Sequence, residues 1–262
     1  MENGFRKLWP FGAEAVDIDI TATNREDIEA LKQTLAYCGV VILRQQWVTD
    51  DDFVAFLKQL GPLTFTVGET PVPDQPSLNR VSNVGRTHPP RSVFHTDTSY
   101  VSCPPAYTAL RAVTLPQSGG DTLFSNQYRA LETLPDSVKV KLAETQVLHV
   151  VSGLTLGDDQ ETQSWHSLFR RHPLSGRKAL YLSTPERCRV LSGFDPDASQ
   201  RAIRLLYRHS IRPYRRYRHR WQPGDVVIWD NRCTMHRADH SAVVGDRVLH
   251  RGLVADELGA SK

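Results

Sequence analysis

The sequence predicts a mainly β protein, in which a barrel or a double-sheet jelly roll is flanked by a few helices. Short apolar segments typical of strands are numerous and are separated by turn residues, whereas segments with helical spacing are few. The chain has 262 residues, enough to bury a substantial core, and neither a repeat nor a low-complexity linker divides it. We therefore expect a single domain over residues 1–262.

Composition and charge exclude several classes of protein. Apolar residues make up 40% and charged residues 23%, unlike a disordered or collagen-like chain. The net charge of +3 gives no reason to expect a nucleic acid or a membrane surface as partner. No apolar run approaches the roughly 20 residues that span a bilayer, and the N-terminus does not resemble a signal peptide. The four cysteines form no Cys-x-x-Cys pair, so we expect reduced thiols and a cytoplasmic protein.

Two helices and a strand are predicted in the first quarter of the chain. Asn24 is a suitable helix N-cap, and apolar residues recur after it at helical spacing as far as Gly39, where a helix would end. Residues 40–43 are all apolar and predict a short buried strand. A second helix is expected from about Asp50, because its apolar residues share one face, and Gly61 would end it.

Later segments alternate between loops, helices and strands. Residues 71–90 are rich in Pro, Asn, Gly and Ser and predict a long surface loop of the kind that often binds or covers a ligand. Helices are expected over residues 135–145, with Pro135 at a first helical position, and over residues 197–209. The predicted strands cover residues 107–114, 146–152, 179–183, 214–221, 225–229 and 247–254.

A His-x-Asp pair is the first feature with chemical meaning. His95 and Asp97 are two residues apart, so in an extended segment both side chains point to the same side. By itself this pattern fits a surface histidine beside a solvated aspartate better than a site. His236 follows an apolar strand and a polar turn far along the chain. Two ligands close in sequence and a distant histidine are typical of the facial triad that binds Fe(II) and leaves positions open for O₂ and a cosubstrate.

Two arginines begin the last predicted strand. Arg247 and Arg251 are four residues apart and therefore share a face of the strand. A guanidinium group there could bind a carboxylate in bidentate fashion. Two exposed arginines on an edge strand are the alternative interpretation.

Taken together, these motifs resemble the taurine dioxygenase family of Fe(II)/2-oxoglutarate-dependent dioxygenases, which includes the 2,4-dichlorophenoxyacetate dioxygenases. The resemblance extends from about residue 15 to residue 255, and its motifs occur in the family's order. The matching stretches are Phe94-His95-Thr96-Asp97, Cys103-Pro104-Pro105-Ala106, Gly119-Gly120-Asp121-Thr122-Leu123, Arg220-Trp221-Gln222-Pro223-Gly224-Asp225 and Trp229-Asp230-Asn231-Arg232, followed by His236, Arg247 and Arg251.

The resemblance implies a fold, an activity and a set of cofactors. The family fold is a double-stranded β-helix, a jelly roll with helices packed on one side. Its members use Fe(II), 2-oxoglutarate and O₂, release succinate and CO₂, and usually hydroxylate a C–H bond of a small molecule. Since related halogenases have Gly or Ala in place of the carboxylate ligand, Asp97 argues against halogenation.

Roles for individual residues follow from the same resemblance. His95, Asp97 and His236 correspond to the iron ligands, and Arg247 with Thr122 to the pair that binds the distal carboxylate of 2-oxoglutarate. Arg251 stands where the taurine enzymes bind the anionic group of the substrate. Three aromatic residues either form a wall around the iron site or only pack in the core: Phe124, Trp221 and Trp229.

The substrate is predicted only as a class. Taurine is not expected, because residues 61–67 lack the family's histidine and because Arg91 replaces an asparagine four residues before the first ligand. Arg91 and Arg251 favour an anionic small molecule, although Arg91 could equally be a solvated loop residue. Thr98 and Phe124 are further candidates for substrate contact.

Several alternatives stay open at this stage. The same cofactors also support desaturation, epoxidation or oxidative rearrangement, and the ligand set does not separate these outcomes. A non-catalytic jelly-roll binding protein is disfavoured by the triad and Arg247. The basic run over residues 208–220 fits a strand with alternating faces better than a nucleic-acid surface. Assembly into a homo-oligomer is left open.

Overall fold

The computed structural model describes residues 4–86, 92–154 and 156–256. Strands dominate this part of the chain. They are β1 (Phe5–Lys7), β2 (Ala13–Ala15), β3 (Val40–Leu43), β4 (Leu63–Thr64), β5 (Pro71–Val72), β6 (Gln75–Ser82), β7 (Tyr107–Thr114), β8 (Thr122–Asn126), β9 (Gln146–Val150), β10 (Gln163–Ser167), β11 (Phe169–Arg171), β12 (Lys178–Leu180), β13 (Cys188–Leu191), β14 (Arg216–His219), β15 (Val226–Asp230), β16 (Thr234–Ala238) and β17 (Val248–Val254). The α-helices are α1 (Arg25–Cys38), α2 (Asp50–Leu60), α3 (Gln127–Glu132), α4 (Asp136–Lys141) and α5 (Pro196–Ser210).

Two sheets form the centre of the molecule. The larger has nine strands in the order β1-β2-β3-β15-β7-β17-β6-β5, with β4 paired to β17, and the smaller has the order β14-β8-β16. Their inner faces pack against each other through apolar side chains, among them Phe124 of the small sheet and Trp229, Leu110 and Leu249 of the large one. The predicted mainly β jelly roll with flanking helices, a double-stranded β-helix, is confirmed.

Helices and further strands cover the outer faces of both sheets. Residues of α1 and α2 pack with Val41, Ala109 and Ile228 on the outer face of the large sheet. On the other side, Leu123 and Met235 of the small sheet pack with α5 and with β9 and β13. This covering explains why β3 and residues 226–229 of β15 are all apolar, since both faces of these central strands are buried. Within the described residues, no helix is long and apolar enough to cross a membrane.

Local sequence signals place α1 where it was predicted. The Asn24 side chain accepts hydrogen bonds from the backbone of Glu26 and Asp27, and the Asp27 carboxylate accepts one from the Asn24 backbone. Gly39 ends the helix with a left-handed φ of 75°, and a Cβ there would lie 2.6 Å from Thr234 Oγ1. Only glycine fits this turn.

The predicted helix from Asp50 and the predicted strand over residues 107–114 are also confirmed, and α5 begins and ends one residue outside its predicted bounds. The helix predicted over residues 135–145 is shorter, and Pro135 is its N-cap rather than its first helical residue. The strand predicted over residues 214–221 is limited to β14, because residues 213–215 form a turn of 3₁₀ helix. The remaining strands occur close to their predicted positions.

The loop predicted over residues 71–90 is wrong for much of its length. β5 and the eight-residue β6 occupy residues 71–72 and 75–82, and β6 pairs with β17. Pairing with a strand about 170 residues later supplies the hydrogen bonds, and Leu78 is fully buried. Pro71 is tolerated because it lies in β5, the last strand at this edge of the sheet. Residues 87–91 lie outside the described residues.

Candidate metal and cosubstrate site

The three predicted metal ligands converge between the two sheets. His236 lies in the middle of β16, and two backbone hydrogen bonds of 3.0 Å join it to His95. Asp97 follows in the next turn, with Oδ1 3.5 Å from His95 Nε2 and Oδ2 3.8 Å from His236 Nε2. One ligand atom from each side chain lies within 4.8 Å of the other two. This arrangement is compact enough for a single metal ion.

Backbone and side-chain contacts orient these ligands. The Nδ1 atom of His95 donates a hydrogen bond to the carbonyl oxygen of Val93 at 2.9 Å. Because a neutral imidazole carries one proton, this bond leaves Nε2 as the unprotonated nitrogen that faces Asp97. The His95 side chain is therefore set in the tautomer that a metal requires.

A chain of buried hydrogen bonds holds Asp97. Its Oδ2 atom accepts a bond of 2.8 Å from the hydroxyl of Thr108 on β7, which accepts one of 2.8 Å from Asn231 Nδ2. Asn231 Oδ1 in turn accepts from Trp229 Nε1 at 3.0 Å. No motif in the sequence had indicated a role for Thr108 or Asn231. A polar residue at an inward position of an apolar strand was the available signal for Thr108.

The ionisation of the site suits a metal. Burial alone would raise the pKa of Asp97, but its interactions with His236, His95 and Arg251 hold that pKa well below the ordinary value. Burial lowers the pKa of His236 to about 3. At neutral pH the site therefore offers a carboxylate and a neutral imidazole from these two residues, the forms that bind divalent metals.

Aromatic rings pack behind His236. The centroid of the Trp229 ring lies 4.4 Å from that of His236, and the Phe124 ring lies at 6.5 Å. Phe124 also faces His236 directly across the β8–β16 pair and has no exposed surface. The structure thus places Phe124 behind the ligand, where it excludes water from the core side of the site.

A buried arginine lies beside the triad. Arg247 is 1% exposed, its Nε atom donates to the carbonyl oxygen of Gly120 at 2.8 Å, and its Nη2 atom donates to Thr122 Oγ1 at 3.4 Å. Burial lowers its pKa to about 10. It forms no ion pair with any carboxylate in the part of the chain that the structure describes. Since an unpaired buried charge is unstable, these surroundings favour an anionic ligand at this point.

The hydroxyl of Thr122 completes this anion site. Besides the bond from Arg247, it accepts one of 3.0 Å from Trp221 Nε1. Both partners are donors, so the hydroxyl proton is left to donate to an acceptor. Gly120 makes room for the guanidinium group, because a Cβ there would lie 2.9 Å from Arg247 Cδ. A carboxylate satisfies both Arg247 and Thr122, and the donor set therefore fits 2-oxoglutarate.

Arg251 lies close to Asp97. Its Nη2 atom is 2.6 Å from Glu69 Oε2 and donates to Asn79 Oδ1 at 3.3 Å, and its Nη1 atom is 3.7 Å from Asp97 Oδ1. Two protein carboxylates thus neutralise this guanidinium group, whereas Arg247 has none among the described residues. Pairing with protein carboxylates is the structural alternative to a substrate role for Arg251.

The other predicted substrate residues have different positions. The Thr98 hydroxyl lies 2.9 Å from that of Thr66, and Thr98 lines a small cavity of about 170 Å³. Thr98 has a left-handed φ of 44°, which is uncommon for a residue other than glycine. Arg91 lies outside the described residues.

Comparison with known proteins assigns the family. Residues 4–253 match the taurine catabolism dioxygenase TauD, TfdA family. The chain belongs to this family. As a TauD/TfdA protein it is an Fe(II)- and 2-oxoglutarate-dependent dioxygenase, and its cofactors are Fe(II), 2-oxoglutarate and O₂.

Curated relatives of this TauD/TfdA protein extend over most of its length. It is 28% identical to the alpha-ketoglutarate-dependent 2,4-dichlorophenoxyacetate dioxygenase of Cupriavidus pinatubonensis, with 94% of this chain and 95% of the relative covered. It is 28% identical to the pentalenolactone F synthase of Streptomyces arenae, with 83% and 82% covered. It is 28% identical to the alpha-ketoglutarate-dependent sulfate ester dioxygenase of Pseudomonas putida, with 88% and 81% covered.

Solved structures show the same fold. A putative alpha-ketoglutarate-dependent taurine dioxygenase from Burkholderia xenovorans superimposes with a TM-score of 0.85 at 31% identity, over 97% of this chain and 92% of the other. AAD-2 in complex with Mn(II) and N-oxalylglycine also gives a TM-score of 0.85, at 25% identity, over 97% and 98%.

Proposed function

We propose that this dioxygenase hydroxylates a C–H bond of a small anionic molecule, with succinate and CO₂ as the other products. We also propose that residues 1–262 act as one catalytic domain, that His95, Asp97 and His236 are the metal ligands, and that Arg247 and Thr122 bind 2-oxoglutarate. The observation that carries the proposal is that three ligands converge near a buried Arg247, which has no carboxylate partner among the described residues.

The strand geometry connects the two parts of this site. Phe124 is paired with His236, and Thr122 lies two residues before Phe124 on the same face of β8. Two residues of a strand span roughly 7 Å, so a five-carbon dicarboxylate can extend from the Thr122 hydroxyl toward the ligands. Arg247 and Thr122 would hold the distal carboxylate and thereby fix the direction in which the keto acid points.

The protein contributes position and exclusion of water rather than oxidising power. Fe(II), when bound, supplies activation of O₂ for the oxidative decarboxylation of 2-oxoglutarate and the oxidation of the substrate. The hydrogen bonds from Thr108 and to Val93 fix the ligand side chains, and Trp229 with Phe124 keeps water from the inner side of His236. These contacts would hold the three ligand side chains in place for a bound metal.

An anionic substrate is supported by the relatives and by the arginines near the site. The names of two relatives specify a phenoxyacetate and a sulfate ester as substrates. Arg251 reaches within 3.7 Å of Asp97, where an anionic group of a substrate could replace one of its present carboxylate partners. Arg91 and Thr98 remain proposed contacts on the basis of the sequence.

A small molecule is also favoured over a nucleic acid, because three of the six arginines in the basic run over residues 208–220 are engaged within the protein. Arg218 pairs with Asp121 and Asp239, and Arg215 is buried. The four cysteines form no disulfide, which supports a reducing compartment such as the cytoplasm.

A second outcome has specific support. The pentalenolactone F synthase relative bears the name of a biosynthetic enzyme, and the same site could direct desaturation or oxidative rearrangement, since these begin with the same hydrogen abstraction. The position of the substrate relative to the ligands would decide between the outcomes.

One assay tests the proposal and separates these outcomes. The enzyme loaded with Fe(II) is supplied with 2-oxoglutarate, O₂ and a panel of small carboxylates, sulfonates and sulfate esters, and substrate-dependent release of succinate is measured. We expect at least one anion to stimulate release and to gain one oxygen atom, as shown by mass spectrometry. A product lacking two hydrogen atoms would assign desaturation instead. Stimulation by neutral molecules alone would contradict an anionic substrate.

A further inference from the structure

A cleft opens beside His95, and Arg251 is not among the residues that line it. It has a volume of about 310 Å³ and is lined by Val93, His95, Ser152, Gly153, Thr184 and Arg187. Three separate segments meet here, namely the one that leads into His95, the one that follows β9 and the turn before β13. The cleft therefore gives access to a metal ligand, and Arg187 is the cationic side chain in its wall.

Arg187 is held firmly by its backbone. Its N–H donates to the carbonyl oxygen of Thr184 at 2.9 Å, and its own carbonyl oxygen accepts a bond of 2.8 Å from Val150 at the end of β9. The side chain is half-buried, and its Nε atom donates to Ser152 Oγ at 3.2 Å. Hydrogen bonds of the Arg187 backbone and of its Nε atom thus fix the orientation of the guanidinium group.

Among the described residues, only the Nε atom of the Arg187 guanidinium has a hydrogen-bond partner. Its two Nη groups form no hydrogen bond or ion pair with any of residues 4–86, 92–154 and 156–256. Two adjacent N–H donors in a fixed plane match the geometry of a carboxylate or a sulfate.

Arg251, by contrast, already has carboxylate partners. Glu69 and Asp97 already offset its charge, at 2.6 Å and 3.7 Å. An anion that binds Arg251 must compete with Glu69, whereas an anion that enters beside His95 meets Arg187 without such competition. Of the two arginines, Arg187 has the greater capacity for a new anionic partner.

We infer that Arg187 binds the anionic group of the prime substrate, a carboxylate or a sulfate ester, in the cleft beside His95. This inference rests on the proposed function and adds a specificity-determining residue to it. Ser152 orients the guanidinium group, and the reacting carbon of the substrate lies between Arg187 and the metal ligands.

Binding to an O₂-inert complex tests this assignment. The enzyme is loaded with Mn(II) and N-oxalylglycine and titrated calorimetrically with 2,4-dichlorophenoxyacetate, with hexyl sulfate and with the neutral 2,4-dichlorophenoxyacetamide. We expect the wild type to bind at least one of the two anions. Arg187→Gln should weaken that anion roughly tenfold or more, since a charge-assisted pair is lost. Arg187→Lys should retain part of the affinity, because it keeps the charge without the planar fork.

Controls separate substrate binding from a structural role. Arg189→Gln changes an exposed arginine two residues away and should bind the anion as the wild type does. The neutral amide should bind the wild type and Arg187→Gln equally. Equal anion affinity in the wild type and Arg187→Gln, equal losses for amide and anion, or failure of both anions to bind the wild type would each overturn the inference. The anion that binds distinguishes a carboxylate site from a sulfate site.

Failure of the proposed function has a different signature. It would appear as an absence of 2-oxoglutarate turnover in the wild type loaded with Fe(II). If the wild type turns over normally and Arg187→Gln loses anion binding, the inference is supported. If the wild type turns over normally and Arg187→Gln binds the anion as well as the wild type, the inference is refuted, but the dioxygenase activity is not.

Discussion

Arg247 is the residue whose surroundings say most about the ligand, because its buried guanidinium lacks a carboxylate partner among the described residues. Arg247→Gln should raise the KM for 2-oxoglutarate roughly tenfold or more, since a charge-assisted bidentate pair is lost. Arg247→Lys should restore part of the affinity. Steady-state kinetics with 2-oxoglutarate as the varied substrate measure both effects.

A matched control for this prediction is Arg218→Gln. Arg218 is a half-exposed arginine whose partners are Asp121 and Asp239, and we expect its replacement to leave the KM for 2-oxoglutarate unchanged. An equal rise in both variants would show that overall positive charge, rather than the Arg247 site, sets the affinity.

The role of Arg251 can be tested through its partner. If Arg251 binds a substrate anion, Arg251→Ala raises the KM of the best anionic substrate. Glu69→Gln should lower that KM, because it removes the carboxylate that lies 2.6 Å from the guanidinium group. Thermal unfolding is measured alongside the kinetics. Reduced thermal stability in both variants, together with an unchanged KM, would assign Arg251 a structural role only.

Among the elements, β7 and β15 support the metal site through one hydrogen-bonded chain. Thr108 of β7 donates to Asp97, and Asn231, just after β15, donates to Thr108. Thr108→Val keeps the shape but removes the donor, so Asp97 loses a contact that orients it. Losses of this kind typically cost 10- to 100-fold in metal affinity, and we expect roughly tenfold weaker Fe(II) binding.

Thr114→Val is the control for this element. Thr114 ends the same strand and is exposed, so its replacement should leave Fe(II) affinity unchanged. Anaerobic titration of Fe(II) measures both variants. Wild-type metal affinity in Thr108→Val would show that the hydrogen-bonded chain does not position Asp97.

The helices and strands differ in how well the sequence alone predicted them. α1, α2 and α5 were predictable because caps and apolar spacing are local signals. β6 and β8 were not predicted as strands, because their hydrogen bonds come from β14, β16 and β17, more than 90 residues later in the chain. The proline-rich local sequence predicted a loop where β6 occurs.

The residues of the site likewise fall into those that the sequence predicted and those that it did not. His95, Asp97 and His236 form a recognisable motif, and the structure brings them within reach of one ion. Thr108 and Arg187 belong to no motif, and their relevance comes from tertiary contacts with Asp97 and from the cleft beside His95. Residues that act through such contacts could not be identified from spacing.

At the scale of the whole molecule, a buried ion-pair network joins distant parts of the chain. Asp230 accepts from Arg232 Nη2 at 2.6 Å and from His172 Nε2 at 2.8 Å, and Asp256 pairs with Arg232 and Arg170. Asp230, His172 and Cys233 could in principle hold a metal. The Asp230 carboxylate is already occupied by Arg232 and His172, so we interpret the network as structural.

Loss of Asp230 should therefore destabilise the fold. Asp230→Asn leaves the buried Arg232 with one partner fewer, and breaking such a pair typically costs about 3–5 kcal/mol. Urea unfolding at pH 7 measures the change in the free energy of unfolding. Asp136→Asn, in an exposed pair with Lys139, is the control and should have little effect. A loss in Asp230→Asn as small as in this control would contradict the structural role.

The same network predicts how stability depends on pH. Burial would raise the pKa of Asp230, but Arg232 and His172 hold it below the ordinary value in the folded protein. The unfolded chain then binds the proton more readily. The contribution of Asp230 is fully present above its unfolded pKa of about 4 and declines as the pH falls below that value. The stability difference between wild type and Asp230→Asn should shrink between pH 7 and pH 3.5, and a constant difference would contradict this account.

We propose that His95, Asp97 and His236 bind the Fe(II) to which 2-oxoglutarate, held by Arg247 and Thr122, also binds. Anaerobic absorption spectroscopy tests it most directly, because a weak visible charge-transfer band requires the metal and the keto acid in one complex. We expect the band in the wild type and in a control, His209→Gln, whose histidine contacts α3 outside the site. It should be lost in His95→Ala, Asp97→Ala and His236→Ala at matched Fe(II) and 2-oxoglutarate concentrations. A band of wild-type intensity in all three variants would contradict the assignment of the site.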